Sequence, residues 1–593
     1  MQLTSEQQAV LDNNCNLVIN AVAGSGKTTT LIAYAKSRLP ASRILYLAFN
    51  KTVKTEALQK FATAGINNIK IETAHSLAFD YIIKNSRYKV IQGYKSYEWC
   101  DMLGIKTGDR HANYIVANHV NKFISYFCNS NALRVQDLNY ADTITDATAK
   151  TFVNNFYNLI EKFTREALSK MDKADIAVTH DFYLKKFQLS QPILPYDYIL
   201  FDEGQDASAA MLSIFLQQDA IKIIVGDTNQ QIYSWRYAVN SLQRVDFPVY
   251  NLSNSFRFDD EVAMISNKIL DWKKHLYLPA SVKINGVGNS SGPISTKATL
   301  GRTNLSLLLN AISQWQHGNI KKLYFEGNIN SYTFADEGAS LYDVLSLYNG
   351  NPGRIRDKLI AEMKSMQELE EYIKKTDDNS LAMIVEVVKE FGSKLPSLIN
   401  ELKTNHTTDK VEADMIFSTV HRCKGMEYDS VTLLNDFITE EKLKRQIAQC
   451  GADKITEADK NRLAEEINIL YVAATRAKTK LLIPPEISPL KSIELSTQHQ
   501  TIIQFNRNYQ RNSYLDEMTA YSQATIGREY KNNLSGRSGN HGKRWTEEEQ
   551  KQLEKLYNTN HSIEAIAKEL NRGERGVRIK LINMGLMKDS DVF

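Results

Sequence analysis

Two short stretches carry residues whose types and spacing point to nucleotide chemistry. The first is "NAVAGSGKTTTLIAYA", residues 20–35. An apolar run, "NLVIN" (16–20), precedes Gly24 and Gly26, and Lys27 and Thr28 open a segment with helical spacing. Strand, glycine loop and helix form the context of a phosphate-binding loop. Glycines let backbone N–H groups converge on phosphate oxygens, and the helix N-terminus adds its positive dipole end. In that arrangement Lys27 reaches the β- and γ-phosphates and the Thr28 hydroxyl ligates Mg²⁺. The general G-x-x-x-x-G-K-[ST] pattern wants glycine at position 21, where this chain has Ala21. The second stretch is "YDYILFDEGQDAS", 196–208. Asp202 and Glu203 follow the apolar run "YILF", and open α/β sheets bind ligands at the carboxyl ends of their strands. One carboxylate can hold the metal while its neighbour polarises an attacking water; the expected division is Asp202 for Mg²⁺ and Glu203 for water.

A third string, "IKIIVGDTNQQIYSWRYA" (221–238), repeats strand then polar loop. Gln230 or Gln231 suits a γ-phosphate sensor. Tyr233, Trp235 and Arg236 make a polar loop with aromatics, which reads as an exposed platform for stacking bases.

What must hold these residues is a long chain of 593 residues, enough for several domains. With 43% hydrophobic and 24% charged residues it has an ordinary globular composition. A net charge of only +4 confines any nucleic-acid surface to a local groove. Five cysteines with no C-x-x-C pair argue against disulfide frameworks, zinc ribbons and iron–sulfur clusters. The N-terminus does not read as a secretory signal and no stretch approaches 18 apolar residues, so a cytoplasmic protein without a membrane partner is expected.

In order and content these motifs resemble the UvrD/Rep-type DNA helicases of superfamily 1, in particular compact members similar to the F-box DNA helicases. The resemblance runs from residue 3 to about 483 and implies roles position by position. "LTSEQ" (3–7) is similar to the adenine-recognition motif, with Gln7 on the base edge. "AGSGKTT" matches the family's phosphate loop, which commonly has alanine at the position of Ala21, and assigns Ala23, Gly24, Ser25, Gly26, Lys27, Thr28 and Thr29 to the nucleotide. "LAFNKTVKTEA" (47–57) and "ETAHSLAF" (72–79) resemble DNA-contacting motifs, through Phe49 and Asn50 and through Thr73 and His75. Gly204 stands where the family often has a bulkier residue, and Tyr237 where it usually has glycine. Within "QQIYSWR" (230–236), Gln231 is the residue expected to couple the γ-phosphate to DNA, and Trp235 the one expected to stack on a base. "LSNSFRF" (252–258) implies Phe256 stacking on adenine and Arg257 on the γ-phosphate. "LGRTN" (300–304) resembles the motif that opens the second half. "STVHRCKGMEYDSV" (418–431) implies a DNA contact from His421 and ribose binding by Glu427. "EEINILYVAATRAKTKLLI" (465–483) implies Arg476 as a second arginine on the γ-phosphate, with Tyr471 supporting its packing.

The implied fold class is α/β. It comprises two RecA-like P-loop domains with parallel sheets, each with a mainly helical insertion, and a small C-terminal three-helix module. The expected boundaries are 1–79 with 181–255 for the first sheet domain and 80–180 for its helical insertion. The second sheet domain takes 256–310 with 412–490, and a short accessory domain takes 311–411. A polar linker covers 491–543. The segment 544–588 resembles a Myb/SANT-like or helix-turn-helix module. Its expected core includes Trp545, Leu553, Ile566, Leu570, Val577, Ile579 and Leu581, and Thr546 with Glu549 fits a capping box. Residues 528–588 carry 13 basic against 8 acidic side chains, and Arg575 and Arg578 are the expected DNA contacts. Docking a protein partner is the alternative role of this module.

The expected activity is ATP-dependent, Mg²⁺-requiring translocation on single-stranded DNA with strand separation at single-strand/duplex junctions. The family resemblance implies 3′→5′ polarity. Two alternatives stand beside it: a translocase that strips proteins from single strands with little unwinding, and a DNA-binding regulator with a slow ATPase switch.

Overall fold

The computed structural model describes residues 3–332, 340–450, 455–490, 546–559 and 561–570, and positions 572, 577, 580, 581, 584, 586 and 587 beyond them. The chain divides into two compact units, residues 1–505 and 506–593.

The larger unit is built on two parallel sheets. β-Branched and leucine-rich runs such as "ILYLA" and "IKIIVG" are buried on both faces, which is the pattern of a parallel sheet covered by helices. The first sheet has six strands in the spatial order Ile69–Thr73, Ile44–Ala48, Tyr198–Phe201, Ile221–Gly226, Leu17–Ala21 and Val249–Leu252. Every adjacent pair is parallel, with Ile19 opposite Val225 and Tyr46 opposite Leu200. Its strands come from two chain segments, and helices Ser96–Leu103, Arg110–Asn129 and Ala147–Asp172 lie between them in sequence. One face packs on these helices and on the helix His180–Leu189 through Leu45, Ile199, Phe201, Phe123 and Phe187. The other is filled by Leu31, Tyr34, Phe61, Leu200 and Val225.

The second sheet has five strands, all parallel, in the order Leu323–Phe325, Met415–Thr419, Lys297–Gly301, Tyr428–Leu433 and Ala477–Leu482. Leu323–Phe325 lies within the stretch whose sequence reads as helical accessory domain. It is a three-residue edge strand between charged segments, too short to show a period of two. Helices Leu341–Tyr348, Met366–Thr376, Asn379–Phe391 and Leu395–Thr404 follow it. They share a core with Tyr114 and Ile115 of the first sheet's helical insertion.

Parallel topology puts the carboxyl ends of all strands of a sheet on one edge. Ala21, Ala48, Thr73, Phe201 and Gly226 are the last residues of five strands of the first sheet. The segments that follow them carry Lys27, Phe49, His75, Asp202 and Trp235. Residues far apart in sequence are thus brought to one rim.

In the smaller unit, helices Glu547–Asn558 and Ile563–Glu569 pack through Leu553, Ile566, Ala567 and Leu570, joined by Val577 and Leu581. Thr546 and Glu549 form the capping box, and Glu549 pairs with Arg572 at 2.7 Å. Trp545, Ile579, Arg575, Arg578 and the linker 491–543 lie outside the described residues. Among the described residues no helix is long and apolar enough to cross a membrane.

Leu200 is fully buried at the centre of the first sheet. Leu200→Ala is expected to cost about 2–5 kcal/mol by leaving a cavity, read as a lower thermal or urea midpoint for the larger unit.

Candidate nucleotide and single-strand site

The phosphate loop is shaped by its glycines. Gly24 and Gly26 adopt φ of +74° and +79°, a region that L side chains rarely enter. A Cβ at Gly24 would lie 2.6 Å from Cβ of Arg257 and 2.7 Å from the Ser255 hydroxyl. Position 24 therefore tolerates only glycine, because the segment carrying Phe256 and Arg257 is pressed onto it. The Phe256 N–H donates to the Gly24 carbonyl at 2.9 Å. Gly26 caps the helix Lys27–Lys36, whose N-terminal N–H groups point into the loop. Thr28 is half-buried and Thr29 exposed on that helix.

Gln7 sits against this loop with both ends of its amide engaged. Its Nε2 donates to Thr30 Oγ1 at 3.2 Å and to the Ser25 carbonyl at 3.5 Å, and its Oε1 accepts from the Thr4 N–H at 3.0 Å. Asp202 and Glu203 end the adjacent strand. Lys27 Nζ lies 3.4 Å from Glu203 Oε1. Glu203 has a left-handed backbone, φ +54°, a strained conformation for a non-glycine residue that is held here by its surroundings. The Tyr46 hydroxyl donates to Asp202 and Gln205 donates to Glu203.

Burial and the neighbouring Glu203 charge push the Asp202 carboxyl well up from its ordinary value. Burial also acts on Glu203, but Lys27 and Lys424 outweigh it and hold that carboxyl low. Two adjacent acids therefore differ by environment. Lys27 and Lys424 favour the ionised form of Glu203, and Asp202 is a buried acid whose charge a cation would stabilise.

These residues fit a magnesium-bound triphosphate on structural grounds. The cradle excludes a Cβ at position 24. The buried Ser25 hydroxyl lacks a hydrogen-bond partner within the protein. Asp202 carries a charge that burial disfavours. Thr28 and Asp202 are the residues that would hold Mg²⁺.

The two arginines stand together. Arg257 bonds Glu427 Oε1 through Nε at 2.9 Å and the Thr475 carbonyl through Nη1 at 2.8 Å. Arg476, almost fully buried, donates to the carbonyls of Val472 at 3.0 Å and Met426 at 3.2 Å. Burial and the Arg476 charge lower Arg257 to about 10. Glu427 thus rests on Arg257, and Phe256 is exposed beside the phosphate loop.

The helix Glu457–Ala474 spans the seam between the sheets. The Tyr471 hydroxyl accepts from the Ala23 N–H at 3.3 Å and donates to Asp227 Oδ2 at 2.8 Å. Asn468 donates to the Gln231 carbonyl at 2.9 Å. Gln231 Nε2 reaches the Ala238 carbonyl at 3.2 Å, whereas Gln230 is buried on Asp227. Val22, Ala23 and Ile232 of the first half share one core with Ile469, Leu470 and Tyr471.

A cluster of rings lies along the same seam. Phe49 stacks on Tyr233 with centroids 5.8 Å apart, and Tyr233 also meets Trp235 at 6.4 Å and His421 at 5.9 Å. Trp235 is 61% exposed, with the Arg236 guanidinium 4.5 Å from its centroid. Burial lowers His421 to about 4, so its ring is neutral at physiological pH.

Asn50 and Thr73 are helix N-caps, accepting from Val53 N–H and Ser76 N–H. His75 stands apart from the ring cluster, 3.9 Å from Asp181 and against Tyr183. Tyr237 takes up φ +58°, where glycine is favoured, and is anchored by its hydroxyl on the Lys122 carbonyl at 3.1 Å and by Tyr126.

Sequence reasoning missed Lys424 and Asp206. Lys424 pairs with buried Asp206 across the seam, donates to the Gln230 carbonyl at 2.6 Å and lies 5.0 Å from the Tyr233 ring centroid. The available signal was their place inside two recognised strings, the fifth residue of "DEGQD" and the lysine of "HRCKG". Nothing in either string says that they meet.

Residues 3–244 match the model of the UvrD/REP helicase N-terminal domain. The chain is 29% identical over 83% of its length to the F-box DNA helicase 1 of Gallus gallus, covering 50% of that protein. It is 27% identical over 83% of its length to the F-box DNA helicase protein 1 of Schizosaccharomyces pombe, covering 58% of it. A probable DNA helicase II homolog of Mycoplasma genitalium is 24% identical over 54% of the chain, with 50% of that protein covered. The chain therefore spans about half the length of the curated relatives it matches.

Burial raises Asp206 to about 7 even though the Lys424 charge opposes the shift. Lys424→Met leaves a buried unpaired carboxylate and is expected to cost about 3–5 kcal/mol at pH 8. The folded-state value lies above the unfolded one, so the folded protein takes up a proton first as pH falls. The penalty therefore shrinks as pH drops through 7 towards 5; thermal midpoints of both proteins across that range check the sign. With its phosphate loop, its carboxylate pair and the paired arginines of the later motifs in family order, the chain is similar to the UvrD-like superfamily 1 helicases, whose N-terminal domain model its residues 3–244 match.

Proposed function

We propose that this chain is an ATP-hydrolysing motor that moves along single-stranded DNA and separates strands at a junction, with the 3′→5′ polarity that the family resemblance implies. The observation that carries the reading is the seam itself. Lys27, Asp202 and Glu203 lie at the rim of one sheet. Arg257 is pressed on Gly24 at that rim with Arg476 beside it, and the two are held by Glu427, Thr475 and Met426 of the second half.

The chemistry follows from charge placement. Phosphoryl transfer spreads negative charge over the transferred group, and its stabilisation needs more cationic charge than one lysine offers. Mg²⁺ bound at Thr28 and Asp202 would neutralise phosphate charge. Lys27 and the glycine-loop N–H groups hold the phosphates, and Gln7 and Phe256 flank the base. Glu203, kept ionised by Lys27, orients the attacking water and accepts its proton. Arg257 and Arg476 supply the remaining positive charge, and they do so only when the halves are closed. Tyr471 and Asn468 tie that closure to Asp227 and Gln231, which flank the loop bearing Tyr233 and Trp235.

Single-stranded DNA lies on the other side of the same seam in this reading. Phe49, Asn50, Tyr233, Trp235, Arg236 and His421 offer ring faces and a cation. Stacking contributes about 1–3 kcal/mol per base, small enough to be made and broken within one turnover. Thr73 and His75 extend the track toward the helical insertion. The C-terminal module, through Arg575 and Arg578, adds a second DNA contact or a protein-docking site.

Steady-state ATP hydrolysis with and without single-stranded DNA tests the motor. Wild type is expected to be strongly stimulated, and Lys27→Ala to turn over near background. Arg476→Ala is expected to lower kcat by about 10³-fold, the scale on which a transition-state arginine acts. An ATPase indifferent to DNA would sink the reading. Trp235→Ala is expected to weaken oligonucleotide binding by about 1–3 kcal/mol, measured by fluorescence anisotropy.

A further inference from the structure

The loop that carries Trp235 is held at three points. The Tyr233 hydroxyl donates to the His421 carbonyl at 2.9 Å. The Tyr237 hydroxyl is fixed on the Lys122 carbonyl at 3.1 Å. Between them, Ser234 gives both of its polar hydrogens to one carboxylate: its N–H donates to Glu465 Oε1 at 3.1 Å and its hydroxyl to Glu465 Oε2. Only Trp235 and Arg236, at the tip of the turn Ser234–Arg236, project free of such anchors into solvent.

Glu465 lies on the helix Glu457–Ala474, two turns before Tyr471, which bridges the phosphate loop and Asp227. Thr475 and Arg476, beside the nucleotide arginine Arg257, follow directly at its end. A helix rises about 1.5 Å per residue, so this element links the stacking loop to the arginine pair across about 15 Å as a rigid strut. The neighbouring Glu466 is engaged elsewhere, on Arg302 at 2.8 Å, which fixes the face that the helix presents. Two of the three anchors, His421 and Glu465, belong to the half of the molecule that closes on the nucleotide. The third, Lys122, does not.

We propose that Glu465 is a positioning residue that clamps Ser234 and so sets the Trp235 platform for a base only while the seam is closed. When the halves part, the loop keeps its Tyr237 anchor and loses the other two, and Trp235 is released from its stacking geometry. This gives a physical route by which closure on nucleotide becomes grip on a base. The inference rests on the motor reading above and assigns a role that the recognised motifs leave open.

The test titrates full-length protein with an oligodeoxythymidine bearing a central 2-aminopurine, in parallel with the DNA concentration that half-saturates ATPase stimulation. Proteins compared are wild type, Glu465→Ala, Ser234→Ala, the double variant and Glu465→Gln. Losing two hydrogen bonds is expected to raise the half-saturating DNA concentration about tenfold in Glu465→Ala. The 2-aminopurine stacking signal should fall in parallel, and the double variant should be no worse than Glu465→Ala. Glu465→Gln should recover most of the loss, because its amide can accept from the Ser234 N–H and donate to the Ser234 hydroxyl.

Alanine variants that titrate like wild type overturn the clamp, and so do losses that multiply in the double variant. Should Glu465→Ala melt below the working temperature, Ser234→Ala, at an exposed residue, decides alone on the same criteria. A wild type that single-stranded DNA does not stimulate overturns the motor reading and this inference with it. A stimulated wild type with unaffected variants overturns the clamp alone.

Discussion

Two guanidinium groups, Arg257 and Arg476, are forced side by side in a seam that excludes most water. Like charges in such a place repel, and burial together with the Arg476 charge lowers Arg257. The protein answers with one carboxylate, Glu427, and the carbonyls of Val472, Met426 and Thr475. That compensation orients the arginines, with Arg257 pressed against Gly24 of the phosphate loop. The Gly24 position admits no side chain because Arg257 occupies the space.

Closure is secured by contacts of different chemistry. Val22, Ala23 and Ile232 share an apolar cluster with the helix Glu457–Ala474, which supplies non-directional attraction. Tyr471, Asn468, Glu465 and Lys424 add directional bonds to Asp227, Gln231, Ser234 and Asp206. The apolar part favours closure in general; the polar part selects one alignment. A bond such as Lys424 to Asp206 is costly to break singly, because the acid it leaves is buried.

Much of this layout is readable from local pattern. Apolar runs ending in Gly-rich or acidic segments mark strands and the loops after them, because a parallel sheet buries both faces. Leu17–Ala21 and Tyr198–Phe201 lie where those runs predict them. Leu323–Phe325 was not readable, since three residues carry no periodicity. The conformation of Tyr237 was not readable either. Its left-handed backbone is held by Tyr126 and Lys122, which lie over 100 positions away in the chain.

Local pattern is enough to say which residues are available and on which kind of element: a lysine at a helix start, two acids at a strand end, rings and an arginine in a polar loop. Local spacing suffices for this, because helix, strand and turn preferences act within a few residues. It also carried enough motif order to indicate family. Pairing across the seam is a product of the folded chain: Arg257 with Glu427, Lys424 with Asp206, Tyr471 with Ala23 and Asp227, and Glu465 with Ser234. Those partners are separated by between 170 and 448 positions. No local preference encodes such contacts; they arise when the two sheet-bearing halves close on a shared apolar core.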